Sequence, residues 1–166
     1  VTGKLEWGKH PDPGPPERPP WRDPARFTTG LGCLAVALMV YQAWAVGYRP
    51  GDGAVEYNGA SNAGDGTILL LFAALQGLVS LRRQLVASDN PILRWAPVAL
   101  AVAMVSELTI SLQQIELEID DWVRAGGHGE RTTALLVLCI GVGAVVVGTV
   151  VATIRNRPWR GRPDRG

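Results

Sequence analysis

Residues 91–127 read PILRWAPVALAVAMVSELTISLQQIELEIDDWVRAGG, and how this stretch is divided decides the fold. From Trp95 to Ile110 the only charged residue is Glu107. Pro91 follows Ser88-Asp89-Asn90, a turn sequence, and suits the first turn of a helix, where its missing N–H costs nothing. The apolar pattern does not stop at Ile110. Leu108, Leu112, Ile115, Ile119 and Trp122 recur every three or four residues, while Glu116, Glu118, Asp120 and Asp121 fall on other faces. One continuous helix is therefore predicted from Pro91 to Arg124, ended by Ala125-Gly126-Gly127. Its last fourteen residues would project about 20 Å beyond a bilayer at 1.5 Å per residue. The competing reading takes Ile115–Ile119 as an alternating strand, but no partner strand is evident, so helix is preferred.

Three further apolar blocks flank this one. The chain has 166 residues and a mean hydropathy of only +0.12, because those blocks alternate with polar, Gly- and Pro-rich stretches. Spans are predicted at about 27–47, 67–87 and 133–154, with 91–124 as the third, extended one. A signal peptide cut after Ala43-Trp44-Ala45 is the alternative for the first block. The preceding 26 residues are too long and too poor in Lys and Arg for that, so a span is expected. Arg82 and Arg83 would reach from the end of the second span into the cytoplasmic headgroups. Residues 1–25 hold seven of the twelve prolines and read as an extended cytoplasmic tail, which could also dock in an aromatic groove. Residues 155–166 read as an Arg-rich cytoplasmic tail.

Charge placement sets the orientation. With both termini inside, cytoplasmic segments carry thirteen Lys and Arg, against Arg49, Arg124 and Arg131 outside. Trp21, Trp95 and Trp159 then mark the inner interface, and Trp44, Tyr48 and Trp122 the outer one. The expected fold is thus an all-α integral membrane protein of the plasma membrane: four transmembrane helices, both termini cytoplasmic, the third helix extended beyond the outer face.

The chemistry is mostly one of exclusions. His10 and His128, the only histidines, lie outside the spans and cannot ligate a haem between them. No Cys-x-x-Cys, phosphate-binding glycine loop, Ser–His pair or zinc-ligand spacing occurs, so no catalytic residues, metal or cofactor are expected. Cys33 and Cys139 differ in expected depth by about 12 Å, too far for a disulfide, and read as small packing residues.

Glu107 is the one acid that must lie within the hydrocarbon, about 18 Å from Trp95. Tyr41 and Gln42 would share its depth, so a cluster of Tyr41, Gln42, Ser106 and Glu107, with Ser111, is geometrically possible. It could handle protons, or contact a quinone headgroup; alternatively, a protonated Glu107 ties two helices together through hydrogen bonds. Gln76 of the second span carries the same alternatives. Ala144, Gly148 and Ala152 form a small-residue ridge suited to close helix packing, with Gly141 and Gly143 beside it. Outside, Glu116, Glu118, Asp120 and Asp121 make an acidic patch, either a solvated face or a docking surface, and the loop Arg49–Gly66 is expected to fold against that helix.

The stretch Gly64-Asp65-Gly66-Thr67-Ile68-Leu69-Leu70-Leu71, opening a span after a Gly-rich external loop, resembles uncharacterised small four-span membrane proteins of high-GC Gram-positive bacteria. The resemblance covers the first two spans and their loop, and implies a plasma-membrane location with no assigned activity. Function is expected to be that of a non-catalytic accessory or assembly subunit of a larger membrane complex, a respiratory electron-transfer complex being the specific form considered. Its partners would be other membrane-protein subunits and lipids, with no nucleic acid. The alternative is a small proton-coupled carrier built on Glu107.

Overall fold

The computed structural model describes residues 22–60, 65–81 and 91–155; residues 1–21 of the Pro-rich tail, 156–166 of the Arg-rich tail and the expected end of the second span at 82–87 lie outside them, and the tail's last residues open α1. In chain order the elements are α1 (Pro24–Met39), β1 (Ala43–Arg49), β2 (Gly53–Asn58), α2 (Asp65–Leu81), α3 (Pro91–Arg124), β3 (His128–Arg131) and α4 (Thr133–Arg155). The molecule is mostly helical, with four helices and a small three-stranded sheet. Two of the helices, α3 from Trp95 and α4, are long and apolar enough to cross a membrane; α1 and α2 are apolar but shorter.

The all-α expectation is therefore corrected. The first apolar block is not one helix over 27–47: α1 stops at Met39 and the chain turns into a strand at Ala43. The cause is local. Asp23 opens α1 by accepting the Ala25 N–H at 3.1 Å, with Pro24 behind it. At the other end the fully buried Trp44 folds back, and its indole N–H donates to the Met39 carbonyl at 2.9 Å. That bond satisfies one of the carbonyls a helix leaves open at its C-terminus.

β1 pairs antiparallel with β2 on one side, through the turn at Pro50–Asp52, and with β3 on the other, giving the order β2-β1-β3. β3 arrives from between α3 and α4, and Thr132 pins it by donating its backbone N–H to Trp44 and its hydroxyl to Ala43. The sheet lies on the distal part of α3. Gly47 and Gly129 face each other in register, and a Cβ on either would come within 2.6 Å of the Trp122 ring, so the two glycines form the slot that holds this indole. Ile115 and Trp122 are buried beneath the strands, and Ile119 packs beside them. The apolar stripe read from the sequence is thus covered by the molecule's own sheet.

α3 runs unbroken for 34 residues to Arg124, as the periodicity predicts, and ends in a Schellman motif. Gly127 N–H reaches the Trp122 carbonyl and Gly126 N–H that of Val123, both at 2.9 Å, with Gly126 at φ 83°, a conformation that favours glycine.

The four helices form an up-down-up-down ring in which α1 contacts α2 and α4, and α3 contacts the same two. α1 and α4 are the closest pair. A Cβ on Gly32 would lie 2.5 Å from the Gly141 carbonyl oxygen, and one on Gly148 would lie 2.2 Å from Thr29 Oγ1. Of the expected ridge, Gly148 makes this contact, joined by Gly141 two turns earlier; Ala144 and Ala152 are half-buried, and Gly143 faces open space. Val36, Leu69, Met104 and Leu138, one from each helix, are fully buried at the centre. Large apolar side chains also cover the outside. Phe27, Leu31, Leu34 and Leu38 form an exposed stripe on α1, and Ile68, Leu71, Leu75 and Leu78 one on α2. In the most apolar stretches of α3 and α4 only 28 % and 39 % of residues are buried, so neither is the enclosed core helix of a globular domain.

Candidate functional site: two polar clusters at opposite ends of the bundle

Glu107, Ser111 and Gln114 follow one another at helical spacing on a single face of α3, half-buried, fully buried and half-buried in turn. Ser111 donates its hydroxyl to the Glu107 carbonyl at 3.0 Å, and the Tyr57 hydroxyl donates to Gln114 Oε1 at 3.0 Å, which brings β2 over this face. The start of α2 is held in the same place: Gly66 N–H donates to the Gly59 carbonyl at 2.9 Å. Asp65, beside that bond, is 7 % exposed, and its Oδ2 has no hydrogen-bond partner among the described residues. It lies close enough for its charge to act on both Glu107 and Tyr57. Burial first, then the charges of Asp65 and Glu118, push the Tyr57 phenol above its ordinary value.

The sequence-expected cluster is arranged differently. Tyr41 is 64 % exposed, Gln42 and Ser106 are exposed, and no hydrogen bond joins any of them to Glu107 among the described residues. Gln42 belongs to the corner after α1, where its N–H donates to Met39. The residue whose charge reaches Glu107 is instead Asp65, and Tyr57 and Gln114 bond to each other two turns further along α3. Asp65 carried a sequence signal, an acid opening an apolar run; Tyr57 and Gln114 could be found only once β2 was known to lie on α3.

The acidic patch is partly tied down by the sheet. Arg131 pairs with Glu116, and Arg49 Nη2 stands 3.5 Å from Asp121, while Glu118 and Asp120 stay exposed. The loop Arg49–Gly66 does fold against the helix, through Arg49 and Tyr57.

A second cluster sits at the opposite end. Fully buried Gln76 donates Nε2 to Thr149 Oγ1 at 2.7 Å, linking α2 to α4, and its Oε1 has no partner among the described residues. Next to Thr149 is a cavity of about 20 Å³ lined by Arg26, Thr29, Ser80, Pro97 and Thr153. That volume holds about one water. Asp23 lies 3.6 Å from Arg26 and 3.8 Å from Arg155, so one carboxylate serves two guanidinium groups. The buried apolar centre separates this cluster from the one around Glu107.

Chemically, the cluster beside the sheet brings the charge of one carboxyl group to bear on another, and the cluster at the opposite end has room for about one water. No group of three or more His, Cys, Asp or Glu able to hold a metal occurs among the described residues. Cys33 and Cys139 are free thiols in α1 and α4. Compared with known proteins, the chain matches no family model, no curated protein and no solved structure.

Proposed function

We propose that this chain is a four-span protein of the bacterial plasma membrane, both termini cytoplasmic, whose three strands and distal α3 form an external head. Support comes from the inverted polarity of the bundle: its outer surface carries apolar stripes, while Thr29, Gln76 and Thr149 are buried inside. A bundle in water would expose far more apolar area than monomeric soluble proteins do. α1 and α2, at 16 and 17 residues, rise about 24 and 26 Å, a modest shortfall that a bilayer meets by thinning.

Within that setting the chain acts as a non-catalytic accessory or assembly subunit of a larger membrane complex, a respiratory electron-transfer complex being the specific form proposed. The observation that carries this reading is Leu117, 64 % exposed, with Val123, 53 % exposed, on the projecting part of α3. Both lie more than about 30 Å along the helix from Trp95, past the hydrocarbon, where lipid does not cover them. A partner subunit would. Purification of the tagged chain in mild detergent, followed by mass spectrometry, tests this. A stoichiometric membrane partner, lost on Leu117→Asp, is the expected result; a chain that elutes alone or as a homo-oligomer overturns it.

A second reading, a proton-coupled carrier, draws on the unpartnered Asp65 Oδ2 beside Glu107. Its transport would be lost in Glu107→Gln, whereas subunit binding through Leu117 would not.

A further inference from the structure

Between α3 and α4 lies an open groove of about 210 Å³. Its walls are Val98, Ala101, Val102 and Val105 of α3 with Val146 and Val150 of α4. From Val98 to Ser106 it runs about 12 Å along α3, close to the ~15 Å depth of one leaflet's hydrocarbon. At its inner end the wall is Thr149, which also lines the cavity holding Arg26, Ser80 and Thr153. Groove and polar mouth therefore meet at one residue.

The mouth has an unbalanced charge. Arg26 is an inward-turned guanidinium, its side chain only 13 % exposed, and its pair with Asp23 uses Nε. Asp23 is shared with Arg155, so among the described residues two cations face one carboxylate. The terminal nitrogens of Arg26 enter no ion pair among the described residues. A planar guanidinium with unused donors is suited to a phosphate.

We propose that this groove and mouth bind one anionic phospholipid of the cytoplasmic leaflet, one acyl chain lying between α3 and α4 and the phosphate at Arg26. The cavity behind Arg26 is too small for the headgroup, so the phosphate sits at its opening while Ser80, Thr149 and Thr153 hold hydrating water. The site rests on the membrane reading given above and is independent of the accessory role. Unlike ordinary boundary lipid, it would discriminate by headgroup charge.

Native mass spectrometry of the full chain in detergent, with phosphatidylglycerol or phosphatidylcholine added, tests the site. One phosphatidylglycerol should persist under activation that strips phosphatidylcholine. Arg26→Gln should weaken that retention about five-fold and erase the headgroup preference. Val102→Trp, at an exposed position of the groove wall, should fill the groove and abolish retention of both lipids while the thermal melt shows the chain still folded. Equal retention of the two lipids by the unaltered chain, or an unaffected Arg26→Gln variant, overturns the proposal. So does a photo-crosslinker at Val102 that captures a co-purified protein segment instead of lipid. Alkaline carbonate extraction separates the two levels: release of the chain without detergent would sink the membrane reading itself, whereas a retained chain lacking headgroup preference would sink the lipid site alone.

Discussion

Tyr57 ties the outer cluster to the sheet, and its titration reports on both. Its phenol is buried against Trp44, the ring centroids 6.5 Å apart, and hydrogen-bonded to Gln114. Burial, Asp65 and Glu118 all raise its pKa above the ordinary 10.0. Folding therefore favours the protonated phenol. That contribution is fully present below pH 10 and is lost as pH rises through the higher folded value. In a spectrophotometric titration at high pH the chain should show a late-ionising tyrosine that disappears in Tyr57→Phe, and the variant should lose less stability than the parent across that range. A Tyr57 that ionises at the ordinary tyrosine value would contradict the buried setting.

Between elements, the α1–α4 crossing depends on side chains that are absent. A Cβ at Gly32 or Gly148 must displace a carbonyl oxygen or the Thr29 hydroxyl, whereas one at Gly143 meets nothing within 4 Å. Gly32→Ala and Gly148→Ala should each destabilise the bundle by about 1–3 kcal/mol, the usual range for overpacking. Gly143→Ala should be neutral or stabilise by up to about 1 kcal/mol, because alanine is the better helix former. Thermal melts of the three variants in one detergent check this, and equal effects at all three positions would refute the crossing. Gly148 was legible in the sequence as a packing residue, but its pairing with Gly141 rather than with Ala144 and Ala152 was not, since spacing alone does not identify the partner helix. α3 was legible throughout, because its stripe persists after its hydrophobicity falls. β1 was missed for the opposite reason: Ala43–Arg49 continues an apolar run, and a continuous run does not separate helix from strand. The signal lay in size, with Trp44, Val46 and Tyr48 alternating with Ala and Gly at period two. Glu107 stood out as a lone acid in an apolar stretch, but the charge that reaches it comes from the start of α2, tens of residues away, and no local pattern pairs them.

Across the whole molecule, the ring of helices and the sheet at one end predict a single sidedness. In a cysteine-free background (Cys33→Ala, Cys139→Ala), Asp52→Cys and Ala125→Cys should react with an impermeant maleimide in intact cells, while Arg22→Cys should react only after lysis. Labelling of all three sites in intact cells, or of none, would be incompatible with the orientation. The sheet carries a further consequence for how the chain is made. Its central strand β1 emerges early in synthesis, yet one of its edges waits for β3, more than eighty residues later, with two helices intervening. Contacts so distant in sequence form slowly. While the ribosome is still extending α3, β1 and β2 are a bare hairpin with an open edge, and only Gly47 of the slot for Trp122 is in place. The sheet end is thus completed only after α3 has been made, so a chain arrested before β3 leaves the central strand with an open edge that surveillance proteases can recognise, and in the finished chain that edge is closed.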